Sequence, residues 1–457
     1  RHTSATRGNH ARSHQDQDRK RKGIEAVVSM SSVMRRVCVS PKARGAIPAL
    51  FVKRLFSVKP EAALPPKKIA ECPERQGLVD CERVVVKVGT AIVSKPDGRL
   101  ALSRMGALVE EIADLVEAGK QVMLVSSGAV GLGRERMGLS KEVVSNVQNV
   151  VERQACAAAG QEVLMSTYDM MFNRLGLKSA QVLITQGDFL MPDRYTYLTN
   201  TLTRLCALGV VPIINENDAV TGSMQLDPST SGRVFTDNDM LSSLVAAGTR
   251  SQGLCMLTDV DAVFTKPPDE PGAERIKVYT ADREVVIGEK STMGRGGMGS
   301  KIYAARVAAQ GGVHCCIANG IDVRNISRVF AGTDIGTLFP PETFPSSKHQ
   351  HWLAFSAQPS GMVGLSEEAV QRLRANQNEQ DEALFNIRLV DIVKCDGQFP
   401  ERSTVSVVDQ HGKEIGRAQV QANSQEIQET IGIGNAKEIS FHNSRLVAKA
   451  VDIVMMH

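Results

Sequence analysis

The chain has 457 residues, which is enough for two or three domains with separate cores. Its 42% hydrophobic and 23% charged residues are typical of a globular protein, and no apolar run is long enough to cross a bilayer. The net charge of +4 is unevenly spread, since residues 1–75 carry +11 and the remainder carries −7. An acidic body has no bulk attraction to phosphates, so RNA is not expected as a partner.

Residues 1–75 form a segment unlike the rest of the chain. They are charged, interrupted by proline and poor in periodic apolar pattern, which predicts a disordered basic leader. No acidic residue occurs from Met30 to Pro60, and this stretch is similar to a mitochondrial presequence with a processing site at Arg54–Ser57. A solvated basic tail, or a start of translation placed too far upstream, explains the same residues. The predicted location is cytoplasmic, or mitochondrial if the leader directs import.

Short β-branched runs alternate with longer amphipathic stretches from residue 82 onwards. Arg83–Val86 and Val122–Val125 have the composition of buried strands, and residues 102–118 have the apolar spacing of a helix that stops at Gly119. Further strands are predicted at 180–185, 209–214, 253–258 and 312–318. This order predicts an α/β domain over residues 80–345, with a mostly parallel sheet sandwiched by helices.

The pattern changes after about residue 345, where strand-like pieces and turn signals dominate. Strands are predicted at 388–394, 405–408 and 415–420, with a turn at 409–412 between the last two. A small β-rich domain is therefore predicted over residues 350–457. The nine cysteines are scattered without a CxxC pair, which indicates reduced core thiols. His314 lies beside two cysteines in one strand, whose neighbouring side chains point to opposite faces, so no metal site is expected there.

Polar residues follow four of the predicted strands. They are Lys87–Thr90, Ser126–Ala129, Asn215–Asp218 and Thr258–Asp259. In a parallel sheet these strand ends meet at one edge, where ligands bind. Gly89 allows the backbone close to an anion, and a helix that starts after Ser127 favours negative charge.

A glycine-rich loop, Gly294–Lys301, leads into another predicted helix. Its spacing fits neither a Walker A motif nor a dinucleotide fingerprint, and alone it could be a flexible linker. Together with Lys87, however, it supplies a second lysine for a phosphate. Two lysines can neutralise the leaving nucleotide and the migrating phosphoryl group, and a carboxylate acceptor needs no base. These residues are typical of a kinase for a small carboxylate.

Each of these residues also has a purely structural interpretation. Lys87 could be a strand-end lysine that reaches solvent, which is the usual position of a lysine. Asn217 and Asp218 could form an Asx turn or cap a helix, and Asn238 and Asp239 could do no more than cap the next one. The convergence of all these groups on one sheet edge favours the ligand site.

Several motifs resemble the amino acid kinase family, and within it the glutamate 5-kinases. The matching stretches, in order along residues 82–340, read VVVKVGTAIV, LVSSGAVGLGR, AAAGQ, PIINENDAV, DNDMLSSL, LTDVDAVFT, GRGGMGSKIYAA and GTLFP. This resemblance implies the amino acid kinase fold and ATP-dependent phosphorylation of L-glutamate to glutamyl 5-phosphate. It also implies a homo-oligomer, and glutamyl phosphate reductase as the functional partner. About 110 residues follow the kinase, too few for a fused dehydrogenase domain, so a monofunctional kinase is predicted.

The resemblance also implies roles for individual residues. Lys87 and Lys301 would contact the ATP phosphates, and Asp239 would hold the two lysines by charge. Glutamate would bind to Ser127, Asp218 and Asn238. The nucleotide would lie against Gly89, Thr258, Asp259, Gly296, Gly297 and Met298. Mg²⁺ would arrive with ATP, without a cage of protein ligands.

The C-terminal segment resembles a PUA domain. The matching pieces are Asp396–Phe399, Val405–Asp409, Gly416–Ala418 and Ile439–Asn443. Residues 380–457 contain no dense basic stripe and no interleaved aromatics, which favours a packing role over RNA binding. Two other hypotheses remain open, namely an RNA-binding PUA protein on a kinase scaffold and an inactive regulatory homologue.

Overall fold

The computed structural model describes residues 70–145, 149–221, 237–280, 297–342, 348–376, 385–432, 446–449 and 452–455. The predicted leader up to residue 69 and the predicted ligand residue Gly296 lie outside these ranges. No helix within them is long and apolar enough to span a bilayer.

The larger domain is built on a seven-stranded sheet. Its strands are β1 Arg83–Val88, β2 Gln121–Ser126, β3 Lys178–Ile184, β4 Val210–Glu216, β5 Gly253–Thr258, β6 His314–Asn319 and β7 Thr337–Phe339. They lie in the order β3-β4-β2-β1-β5-β6-β7. Neighbouring strands are parallel except β6 and β7, which are antiparallel. The predicted α/β class and mostly parallel sheet are confirmed.

Helices cover both faces of this sheet. They are α1 Gln76–Val79, α2 Thr90–Val93, α3 Leu102–Glu117, α4 Ala129–Arg136, α5 Lys141–Ser145, α6 Val150–Arg174, α7 Gln186–Leu190, α8 Pro192–Ala207, α9 Asn238–Gly248, α10 Met298–Gln310 and α11 Asn325–Phe330. Val84 and Val86 of β1 pack in one buried cluster with Leu108 of α3. Val85 packs in a second cluster with Leu241 of α9. Because side chains alternate along a strand, this division means that β1 is buried on both sides.

Helices α4 and α6 cross with their backbones in contact. A Cβ atom on Gly160 would lie 1.8 Å from the carbonyl oxygen of Ala129, and one on Gly133 would lie 1.8 Å from that of Cys156. No side chain fits in such a gap, so glycine is required on both helices. The crossing places Gly160, and Gln161 after it on α6, close to Ala129 at the start of α4.

The C-terminal part contains a five-stranded sheet and a two-stranded one. Their strands are β8 Met362–Leu365, β9 Ile387–Arg388, β10 Ile392–Asp396, β11 Thr404–Val408, β12 Glu414–Gln419, β13 Leu446–Ala448 and β14 Ile453–Met455. Helices α13 Glu367–Ala375 and α14 Ser424–Gly432 accompany them, while α12 Lys348–Phe355 packs Trp352 and Leu353 into the core of the larger domain. The predicted hairpin is present, since β11 and β12 pair antiparallel on either side of the turn at Gly412, which has a φ of 78°.

Two boundaries differ from the sequence-based expectation. The strand predicted at 388–394 is broken by a 3₁₀ turn at Leu389–Asp391, because the Asp391 carboxylate accepts the backbone N–H of Arg388 at 2.7 Å. Residues 70–75, which were assigned to the leader, belong to the folded part. Arg75 is 2% exposed and donates to the carbonyl oxygen of Lys277 at 3.3 Å. It also lies 3.7 Å from the Asp334 carboxylate.

Candidate active site

A cleft of about 460 Å³ lies beyond the carboxyl ends of β1, β2, β4 and β5. Eight of the nine predicted residues that line it fall into two groups. The phosphate and nucleotide side contains Lys87, Gly89, Thr258, Asp259 and Lys301, and the acceptor side contains Ser127, Asp218 and Asn238. Asp239, the ninth, lies between the lysines. The sheet topology therefore brings together residues that are more than 200 positions apart in the chain.

Asp239 bridges the two lysines. Its Oδ1 atom lies 2.5 Å from Lys87 Nζ, and its Oδ2 atom lies 2.7 Å from Lys301 Nζ. The side chains of Lys87, Asp239 and Lys301 are 5%, 3% and 13% exposed. A carboxylate held between two ammonium groups fixes both nitrogens at one point of the cleft wall. Lys87 is therefore not the solvent-reaching strand-end lysine of the alternative interpretation.

The local sequence explains how these three residues reach their positions. Lys87 is the penultimate residue of β1, and Asp239 lies in the first turn of α9. Asp237 caps this helix, because its carboxylate accepts the backbone N–H groups of Asp239 and Met240 at 3.1 and 3.0 Å. Since Asp237 performs the capping, the Asp239 side chain remains available to pair with the lysines. The hypothesis that Asp239 is only a cap is therefore wrong.

Burial and charge act in opposite directions on this cluster. Burial disfavours the charged carboxylate of Asp239, but the ammonium groups of Lys87 and Lys301 outweigh it and lower the pKa to about 2. Burial also lowers the pKa of Lys87, and the nearby Lys301 acts in the same direction, while Asp239 opposes them. The cluster thus sets two lysines against a single ionised carboxylate, which leaves a formal excess of positive charge. That charge is suited to an anionic ligand.

The start of α10 completes the phosphate side. Gly297 is the N-cap residue, and its carbonyl oxygen accepts the Ser300 hydroxyl at 2.9 Å. The Met298 side chain packs against the core, and neither Gly297 nor Met298 belongs to the residues that line the cleft. Gly297 and Met298 could therefore contact a nucleotide only through their backbone atoms.

A chain of amide hydrogen bonds supports the acceptor side. Asn238 Nδ2 donates to Ser127 Oγ at 2.8 Å and to Asn215 Oδ1 at 2.9 Å. Asn215 Nδ2 donates in turn to Gln161 Oε1 at 2.9 Å. Asn215 is 2% exposed and lies within β4, which continues through Glu216. The polar run Asn215–Asp218 therefore has two functions. Asn215 supports the wall from inside, and Asp218 faces the cleft.

Four further residues of the site are not among the predicted ones. Gln161 lies behind the cleft, and Arg134, Lys141 and Arg153 line it. These cations come from α4, α5 and α6, whose helical faces cannot be oriented from the sequence alone. Arg134 and Gln161 lie in the motif stretches LVSSGAVGLGR and AAAGQ, so the family resemblance is the sequence signal that could have identified these two residues.

No group of three or more His, Cys, Asp or Glu side chains suitable for a metal occurs within the described ranges. The eight cysteines that the structure describes are all free, and seven of them are buried. Their burial agrees with the prediction that they are core residues.

Comparison with known families matches residues 82–319 to the amino acid kinase family. The chain belongs to the amino acid kinase family. A second match covers residues 386–442 and is to the PUA domain, which confirms the predicted C-terminal module. The two matched regions agree with the larger sheet domain and the β-rich C-terminal part of the structure.

Similar members of the amino acid kinase family carry two kinds of name. A protein named glutamate 5-kinase from Cyanothece sp. is 37% identical over 357 residues, which cover 77% of this chain and 92% of the relative. One with the same name from Synechococcus elongatus is 38% identical, with 77% and 92% coverage. The Oryza sativa subsp. japonica protein named delta-1-pyrroline-5-carboxylate synthase 1 is 43% identical over 276 residues. This chain spans only 38% of that synthase's length.

Proposed function

We propose that this protein is a glutamate 5-kinase. It transfers the γ-phosphoryl group of ATP to the γ-carboxylate of L-glutamate and forms L-glutamyl 5-phosphate, the first step of proline biosynthesis. The observation that carries the proposal is the buried Lys87–Asp239–Lys301 cluster at the wall of a cleft whose other side is lined by hydroxyl, amide and carboxylate groups. The relatives named glutamate 5-kinase, which align over most of their length, support the choice of substrate.

The two lysines provide the catalytic charge. A γ-carboxylate oxygen of glutamate attacks the γ-phosphorus, a new O–P bond forms, and the bond to the β,γ-bridging oxygen breaks as ADP leaves. Negative charge moves to the bridging and equatorial oxygens during this step. Lys87 and Lys301 stabilise that charge from a fixed position, because Asp239 holds both nitrogens before the substrates bind. The acceptor is already ionised at neutral pH, so no general base is needed.

The acceptor side orients glutamate. Ser127 and Asn238 supply a hydroxyl and an amide, and Asp218 supplies a carboxylate for the α-ammonium group. On the nucleotide side, Thr258 and Asp259 follow β5, where Thr258 Oγ1 donates to Asp259 Oδ1 at 3.1 Å. Gly89 and the backbone of Gly297 and Met298 would contact phosphate oxygens, and Gly296 has the same predicted role.

Both oxygens of Asp239 are paired with lysines, so this carboxylate is not available as a metal ligand. We propose that Mg²⁺ is held mainly by the ATP phosphates, without Asp239 as a ligand. The bound metal would neutralise part of the charge on the ATP phosphates, in addition to the charge that the two lysines neutralise.

The chemistry of the product suggests a functional partner, and exposed apolar residues suggest self-association. An acyl phosphate is labile in water, so a reductase that consumes glutamyl phosphate is the proposed functional partner. We also propose a homo-oligomer, since Val151 and Met170 of α6 are 71% and 55% exposed.

The compartment is proposed as cytoplasmic, or mitochondrial if the basic leader directs import, and imaging of fusions with and without residues 1–69 separates the two.

A coupled assay of ADP release tests the function. Glutamate, aspartate, N-acetylglutamate and carbamate are offered in turn with ATP and Mg²⁺. We expect turnover with glutamate to exceed that with each alternative by at least about tenfold. N-acetylglutamate and carbamate lack the free α-ammonium group for which the acceptor side is built, and the side chain of aspartate is one methylene too short to bring its carboxylate to the same position. A higher kcat/KM for another acceptor would refute the proposed substrate.

A further inference from the structure

Gln161 lies behind the acceptor side of the cleft and does not line it. It follows Gly160 on α6, at the close crossing with α4, and is 7% exposed. A buried amide is costly unless its polar atoms form hydrogen bonds, and the Nε2 atom of Gln161 has no partner among the described residues. Its Oε1 atom has one partner, the amide of Asn215, which connects it to Asn238 at the cleft wall.

The direction of this amide chain is fixed by one backbone group. The N–H of Glu216 can only donate, and it lies 2.9 Å from a side-chain atom of Asn215, which must therefore be the oxygen Oδ1. The Nδ2 group of Asn215 is then directed to Gln161, whose facing atom must be its oxygen.

The same reasoning orients Asn238. Its atom next to Asn215 Oδ1 must be a donor, so Asn238 turns its Nδ2 group inward, where the two hydrogens go to Asn215 and Ser127. The carbonyl oxygen Oδ1 of Asn238 is left buried and without a hydrogen-bond partner among the described residues. Ser127 Oγ accepts from Asn238, so its own hydrogen is available to a ligand. Asn238 and Ser127 thus offer one hydrogen-bond acceptor and one donor, beside the carboxylate of Asp218.

We infer that Gln161 is a positioning residue that sets this hydrogen-bond polarity, so that Asn238 Oδ1 receives the α-ammonium group of an amino acid substrate while Ser127 donates to a carboxylate oxygen. The inference rests on the proposed function and extends it to substrate selection. An acceptor without an α-ammonium group leaves Asn238 Oδ1 unpaired in the closed site, which is the costly case for a buried carbonyl. Selection against such acceptors therefore depends on Gln161, although Gln161 does not line the cleft.

The test compares Gln161→Met, which keeps the length but removes the acceptor, with Gln161→Glu, which keeps an acceptor oxygen. Gln154→Met is the matched control, because Gln154 lies on the same helix, is half-buried and has no role in the amide chain. Each protein is assayed with L-glutamate and with glutarate, the same dicarboxylate without the α-ammonium group.

For Gln161→Met we expect the KM for glutamate to rise about tenfold, with kcat and the KM for ATP within about threefold of wild type. The preference for glutamate over glutarate falls by a similar factor. Gln161→Glu restores most of that preference, and Gln154→Met behaves as wild type. Wild-type KM and preference in Gln161→Met, or equal losses in both Gln161 variants, would overturn the inference. A wild-type protein without glutamate turnover would instead refute the proposed function, and this inference with it.

If Gln161→Met does not fold, Gln161→Asn provides the same comparison, since its shorter amide cannot reach Asn215 but remains polar. Unfolding curves for all variants show which of them are folded. In a folded variant, a fall in kcat together with similar rises in the KM for glutamate and the KM for ATP would indicate a structural role and contradict the positioning role.

Discussion

Replacing Asp239 with asparagine removes the charge that holds the two lysines and changes almost nothing in shape. Lys87 and Asp239 have side chains that are 5% and 3% exposed, so the lysine would be left buried beside Lys301 without a counter-charge. Breaking a buried ion pair in this way costs about 3 kcal/mol of stability. The lowered pKa of Asp239, about 2 against an ordinary 3.8, gives a similar figure of about 2 kcal/mol. We also expect kcat to fall at least a hundredfold, since the lysines lose their fixed position.

Urea unfolding and ADP release measure the two effects separately. Because the pKa of Asp239 is lowered on folding, its contribution is complete above the ordinary value of 3.8 and is lost as the pH falls towards 2. The stability difference between wild type and Asp239→Asn should therefore be constant near neutral pH and shrink in acid. Asp237→Asn is the control for stability, because asparagine caps a helix as well as aspartate does. Equal stability and turnover of wild type and Asp239→Asn at neutral pH would refute the reasoning.

Three further predictions follow from the same structure. Lys301→Ala should lower kcat at least a hundredfold with little change in the KM for glutamate, measured by ADP release, and full turnover would remove the lysine mechanism. Because burial lowers the pKa of Lys87, the alkaline limb of the kcat/KM profile should fall below pH 10.5, and a limb at or above that value would contradict the burial effect. Gly160→Ala should destabilise the protein by about 2 kcal/mol or more in urea unfolding, because its Cβ would lie 1.8 Å from the Ala129 carbonyl oxygen. Gly131→Ala on α4 is its control, since the nearest atom would be 3.9 Å away, and equal effects would show that the crossing is not tight.

The sheet and most of the cleft could be predicted from local patterns. Apolar runs locate the strands, and parallel strands place their carboxyl ends together, so Lys87, Ser127, Asp218 and Thr258 were expected to meet. The pairing of both lysines with Asp239 needed the family resemblance, because nothing in the spacing of a strand and two helices fixes their distance.

Local sequence patterns do not predict the position of residues whose partners are distant in the chain. Arg75 has the composition of a basic leader, but its partners Lys277 and Asp334 lie more than 200 residues away. Gln161 lies 54 residues before its partner Asn215 in the chain. The burial of both follows from packing that no local window contains.

The central claim is that Lys87 and Lys301 act on the same migrating phosphoryl group. A crystal structure of the protein with ADP, glutamate and aluminium fluoride, which imitates the planar group in transfer, tests it most directly. We predict that both Nζ atoms lie within about 3.2 Å of fluorides on that group. A fluoride group bound in the cleft with either lysine turned away from it would contradict the claim.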